Sequence, residues 1–156
     1  MKKNKLHIGC GEKYIPEWIN IDATSKVADM NINIHDLKKH FKENSIDEIY
    51  TCHTLEHFGR HEYMSVLKTS HYLLKNKGVI TISVPDFHEL ISHYYETGRL
   101  FDVIGSLYGG QKDDYDYHKW GHTFETLSSD LAEIGFNCIE RYDWEKTSHA
   151  NFSTSF

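Results

Sequence analysis

Five short apolar runs, each closed by a glycine, a proline or a polar residue, constrain this chain more than any other feature. Leu6-His7-Ile8 runs into Gly9-Cys10-Gly11, Trp18-Ile19-Asn20-Ile21 into Asp22, and the alternating Met30 to Ile34 towards Asp36. Ile46 to Tyr50 precedes Thr51, and the β-branched run Val79 to Val84 stops at Pro85. Runs of this kind read as strands, the last as a buried central one, since proline cannot donate to a ladder and ends it. Helical patterns lie between them. Glu62 to Leu74 carries Tyr63, Val66, Leu67 and Leu74 on one face, with Asn76-Lys77-Gly78 as its stop; residues three and four apart share a helix face. Phe87 to Tyr95 and Phe124 to Ile134, stopped by Gly135, are further helices, and Leu37 to Asn44 supplies one or two turns. Asn137 to Tyr142 reads as another strand. Gly98 to Gly121, rich in Gly, Asp and Tyr, reads as a long loop or insertion over a pocket.

Strands alternating with helices build βαβ units, and hence a doubly wound, mostly parallel α/β sheet. Ligands bind such sheets beyond the carboxyl ends of the strands, and all five closing segments fall on that rim. The 156 residues suit a single domain. A net charge of −6 without a basic stripe gives no drive towards nucleic-acid phosphates. Met1 to Lys5 is basic, but no apolar stretch follows, and no segment approaches the length of a membrane span. Cys10, Cys52 and Cys138 are odd in number and form no Cys-x-x-Cys, so neither a disulfide framework nor a thiolate zinc site is indicated. A reducing cytoplasm is the natural compartment, and a small molecule the natural partner. The oligomeric state is not legible.

Glycines after the first strand let the backbone turn tightly and approach a ligand closely. A dinucleotide fingerprint would place a third glycine where Tyr14 stands, which counts against nicotinamide chemistry. A pyrophosphate needs the glycine-lined start of a helix; a sulfonium nucleoside carries no phosphate and does not. Asp22 follows Gly9 by thirteen positions, where dinucleotide folds leave about twenty. The first helix is therefore very short or absent, as Pro16 also indicates. A carboxylate at Asp22 can accept from both hydroxyls of a ribose, or serve as a turn residue. Asp36 either meets the adenine amino group or caps the helix that Leu37 begins.

The strings Leu-His-Ile-Gly-Cys-Gly, Trp-Ile-Asn-Ile-Asp and Asp-Glu-Ile-Tyr-Thr-Cys-His-Thr-Leu-Glu-His-Phe resemble small class I, type-11-like S-adenosylmethionine-dependent methyltransferases. So do Lys-Asn-Lys-Gly, Val-Pro-Asp and Glu-Ile-Gly-Phe, and the resemblance spans residues 5 to about 143. It implies a seven-stranded sheet with one reversed strand, S-adenosyl-L-methionine as donor and S-adenosyl-L-homocysteine as product. It places Gly9, Cys10 and Gly11 beside the methionine and ribose, Asp22 on the ribose, and Asp36 and Leu37 along the adenine. Thr51, Cys52 and His53 then face the sulfonium and the acceptor. His7 departs from the family, which has an acidic residue there. The family's closing hairpin shows only its first strand, at Asn137 to Tyr142; either Asn151 to Phe156 is a remnant of the last strand or the chain is truncated. By analogy the acceptor is a small hydroxylated, sugar-like molecule.

Twelve histidines invite a metal reading. His53-Thr54-Leu55-Glu56-His57 matches the H-x-x-E-H pattern of inverted zinc peptidases, which leaves a zinc hydrolase as an alternative. That motif needs the middle of a helix, whereas here it follows a strand directly, and no third ligand is identifiable. No metal is therefore expected. If the acceptor is a hydroxyl, a histidine suits proton removal near neutral pH, and the order of candidates is His53, His118, His57. A non-catalytic donor-binding or partner subunit is the third possibility.

Overall fold

The computed structural model describes residues 3–147. Its strands are β1 (Lys5–Ile8), β2 (Ile19–Ile21), β3 (Ile46–Cys52) and β4 (Leu74–Ser83), and its helices are α1 (Leu37–His40), α2 (Glu62–Leu73), α3 (Phe87–Thr97), α4 (Leu100–Tyr108) and α5 (Phe124–Ile134). The four strands form one parallel sheet in the order β2-β1-β3-β4. Leu6 lies level with Ile19 and Ile49, and Ile49 with Ile80; Ile8 lies level with Ile21 and Thr51, and Thr51 with Ile82. Successive side chains point to opposite faces, so these residues build one apolar face. Leu37, Tyr63, Val66, Leu67, Leu73 and Leu131 from α1, α2 and α5 complete its core. Each fully buried Leu or Ile contributes about 1.5–3 kcal/mol.

The other face is polar. His7 lies level with Asn20 and Tyr50, and all three are buried. Asn20 Oδ1 accepts from Ile15 N at 2.9 Å and from His7 Nδ1 at 3.0 Å, while its Nδ2 donates to Ile15 O, Trp18 O and Asp29 Oδ2. This network holds the helix-free connection between β1 and β2 against the sheet, which agrees with the short spacing before Asp22.

Several expectations change. Met30 to Ile34 forms no strand: Met30 makes one isolated bridge to Ile21, and Ile34–Asp36 is a 3-10 turn. Alternation over five residues is too weak to hold an edge position without a ladder partner. α2 ends at Leu73, and Asn76-Lys77-Gly78 lies inside β4, where the register against β3 shifts and Lys77 has φ +65°. Val79 to Val84 is not a central strand, because β4 is the outermost strand of the described sheet and Val79 is 55% exposed. Asn137 to Tyr142 forms no strand, so the described sheet has four strands rather than seven, none reversed. Asn151 to Phe156 lies outside the described residues. The span 98–121 is not all loop, for it contains α4, whose Val103 is buried. Its Leu100, Val103, Ile104 and Leu107 follow helical spacing, a signal masked by the glycines around it. No helix among the described residues is long and apolar enough to cross a membrane.

Candidate functional site

The carboxyl ends of β1 and β2 are stitched into a single rim. Gly9 N and Cys10 N donate to Ile21 O at 2.8 and 3.1 Å. Gly9 has φ +70°, and a Cβ there would lie 2.2 Å from Thr54 Oγ1, so only glycine fits. Gly11, at φ +49°, faces open space instead. Asp22 ties this turn to the next one. Its Oδ2 accepts from Gly11 N at 3.0 Å, and its Oδ1 accepts from Thr24 N and Ser25 N, both at 2.9 Å. Ser25 Oγ donates to Gly11 O.

The second feature lies past the end of β3. His53, the residue after this strand, takes the left-handed region at φ +51° and donates its N–H to Ser83 O at 2.9 Å. Leu55–His57 then makes a 3-10 turn. Its Glu56 is 2% exposed, and Glu56 Oε1 lies 3.1 Å from His53 Nδ1 and 4.0 Å from His118 Nε2. Glu56 O accepts from Lys119 N and Trp120 N at 2.7 and 3.2 Å, which brings the 117–122 segment against the turn. His57 Nδ1 bonds Tyr117 O at 3.1 Å, His118 Nδ1 bonds Ser106 O at 2.8 Å, and the two rings meet edge-on at 4.8 Å. Among the described residues, Glu56 Oε2 and His122 Nε2 are buried without hydrogen-bond partners.

Electrostatics separates these groups. Burial works to lower the His53 pKa, but hydrogen bonds with Cys52 and Glu56 outweigh it and push the imidazole up to about 10. Burial works to raise Cys52, but its hydrogen bond with His53 wins and the thiol falls below its ordinary range. His122 is held below the usual imidazole range by burial. Cys10 is pushed up to about 11 by burial and then by the Asp22 charge.

A cleft of about 220 Å³ opens beside the cluster, lined by Glu56, His118, Pro85, Phe87, Leu90 and residues 106–108 and 119–121. None of Gly9, Gly11, Asp22 and Asp36 lines it. It is smaller than the roughly 300–1,000 Å³ of typical ligand pockets, so it suits a small group and not a whole nucleoside.

The expected site residues divide accordingly. Gly9, Gly11 and Asp22 share the first rim. Cys10 and Thr51 are buried at its base, and Cys52 and His53 sit at the end of β3. Leu37 is fully buried in the core and offers no surface to an adenine. Asp36 ends a 3-10 turn, not a strand, and pairs with Lys39 at 2.6 Å. His53, His57 and His118 do converge, but around Glu56, which the sequence flagged only through the zinc pattern. The H-x-x-E-H spacing forms no helical metal site. The one group among the described residues with metal-ligand geometry is Glu56, His57 and His118, in which His118 replaces His53. The hubs Asn20 and Asp29 carried no sequence signal beyond ordinary polar residues.

No protein-family model matches the chain, and no curated protein sequence does. Among solved structures, a SAM-dependent methyltransferase from Archaeoglobus fulgidus is similar over 87% of this chain, with a TM-score of 0.63 at 18% sequence identity. The chain spans 62% of that protein's length. The fold is thus a class I methyltransferase-like α/β fold.

Proposed function

Proceeding from that fold, we propose that the chain binds S-adenosyl-L-methionine at the Gly9–Asp22 rim and transfers its methyl group to a small hydroxylated acceptor held in the cleft beside Glu56. The carrying observation is the rim itself: a glycine turn facing open space at Gly11, and the Asp22 carboxylate hydrogen-bonded to its N–H. The residues fit the donor. Asp22 Oδ2 accepts from one backbone N–H, which leaves acceptor capacity for a ribose hydroxyl, while Oδ1 is already engaged by two backbone N–H groups and the Thr24 hydroxyl. One strong hydroxyl contact, not two, is the expectation.

When bound, the donor supplies a methyl on a sulfonium, a leaving group that is already activated. The protein's own part is mainly alignment of donor and acceptor. Hydrogen bonds with Cys52 and Glu56 hold the His53 imidazole above its ordinary range, which favours its protonated form and a positioning role over that of a base. His53 orients the Glu56 carboxyl group through Nδ1. The acceptor hydroxyl meets the Glu56–His57–His118 cluster, where the Glu56 carboxylate, which lines the cleft, takes its proton as the methyl passes from the donor sulfur to the acceptor oxygen. Calorimetry of S-adenosylmethionine and S-adenosylhomocysteine with the purified chain tests the reading. Saturable binding of both at a 1:1 ratio is expected; no heat from either, with the fold intact, overturns it.

A further inference from the structure

We propose that Glu56, His57 and His118 form a binding site for a divalent transition-metal cation, zinc or a similar borderline ion. One ligand atom from each of the three residues lies within 4.8 Å of the others. Both imidazoles are set for ligation. Each spends Nδ1 on a backbone carbonyl, His57 on Tyr117 O and His118 on Ser106 O. A carbonyl only accepts, so Nδ1 carries a proton in both rings, and Nε2 is the nitrogen left for a metal ion. Ligating histidines are oriented by this same outer hydrogen bond.

The carboxyl group is prepared in the same way. His53 Nδ1 holds Glu56 Oε1 from outside the cluster at 3.1 Å. Glu56 Oε2 is buried without a partner among the described residues, and the side chain is 2% exposed. A buried carboxylate oxygen without a donor is costly, and a cation is one group that relieves it. Two nitrogens and one oxygen suit zinc or its neighbours better than magnesium or calcium, which favour all-oxygen sets. Glu56 and His118 also line the cleft, and three protein ligands would leave room for a further ligand on such an ion. A hydroxyl bound there loses its proton more readily. This last point rests on the methyl-transfer reading; the cation site itself does not.

The test uses the chain without a polyhistidine tag, stripped with chelator and titrated with Co²⁺ and, by competition, with Zn²⁺. One ion per chain is expected, with cobalt visible absorption showing nitrogen and oxygen ligands in low coordination. His118→Ala and the half-buried His57→Ala should each weaken binding by more than the roughly 10–100-fold that loss of an outer partner costs. His40→Ala, at an exposed position of α1, should leave it unchanged. Absence of a stoichiometric site in the wild type overturns the proposal, and so does wild-type affinity in both histidine variants. Donor calorimetry on the stripped protein separates the two readings: donor binding without a metal site sinks only the cation proposal, and a metal site without donor binding sinks only the methyl-transfer reading.

Discussion

The rim at Gly9–Asp22 and the cluster at Glu56–His118 sit on the same edge of the same sheet, yet they are built in opposite ways. The rim is local, assembled from residues 7 to 29, and its polar groups answer one another. Asp22 serves three backbone N–H groups, and Asn20 serves five partners. The cluster joins three distant segments, the turn after β3, the 117–122 strap and the end of α4, and among the described residues it leaves two buried polar atoms unanswered. A satisfied network is preorganised, and a ligand adds to it. An unsatisfied one in a packed protein marks a place where something else completes the structure. In the proposed reading, the rim therefore takes the shape-dependent part of binding and the cluster the chemistry.

Substitutions can break that contrast from either side. The largest effect is expected at Gly9→Ala. The new Cβ would sit 2.2 Å from Thr54 Oγ1 at a φ of +70°. Overpacking of about 1–3 kcal/mol and left-handed strain of about 1–2 kcal/mol should together remove roughly 2–5 kcal/mol in denaturant unfolding. Gly11→Ala should lose only the strain, because its Cβ meets nothing within 4 Å. Equal losses at both positions would show that contact with Thr54 does not matter.

Asp22→Ala comes next. Three backbone N–H groups lose their acceptor, so stability should fall by about 1–3 kcal/mol. Donor binding should weaken by about 1.5–3 kcal/mol, the scale of one hydrogen bond to a charged acceptor. Asp22→Asn should fall between the wild type and the alanine variant on both measures. Unfolding and calorimetry on the same preparations read both, and unchanged stability in Asp22→Ala would mean that the turn is held without the carboxylate.

The smallest effect tests the support behind the cluster. Tyr63, on α2, donates to Asp130 Oδ2 on α5 at 2.7 Å, and its ring stacks on Trp120 and meets His122 edge-on. Burial, then the Asp130 hydrogen bond and charge, push the phenol up to about 12. The folded pKa lies above the unfolded value near 10. The contribution of Tyr63 to stability is therefore complete below pH 10 and is lost as the pH rises from 10 towards 12. Tyr63→Phe should cost about 0.5–1.5 kcal/mol at neutral pH and flatten that part of the alkaline unfolding curve. A curve of unchanged slope would mean that Tyr63 titrates as it does in the unfolded chain.

Local patterns made β1, β2, β3, α2 and α5 legible, together with the glycine turn and the missing helix before Asp22. Each depends on residues within one segment: the alternation of Leu6 and Ile8, the helical spacing of Tyr63, Val66 and Leu67, the stop at Gly135. The misreadings share a cause. Val79 to Val84 is apolar enough for a central strand, but its position depends on whether another strand pairs outside it, and Asn137 to Tyr142 does not. α4 was hidden because glycines at 98, 105, 109 and 110 outweighed a four-residue apolar stripe.

The sequence by itself determined that polar residues collect at the carboxyl ends of parallel strands, because strand direction and turn chemistry are written within a few residues. Only the tertiary structure decided which of those residues act together. His118 reaches Glu56 through backbone hydrogen bonds between segments about sixty positions apart, and no local period encodes such a distance. The charge on His53 was decided in the same way. An imidazole free in water titrates near 6.5; here hydrogen bonds with Cys52 and the buried Glu56 pull it upward, a shift that no local pattern around His53 encodes.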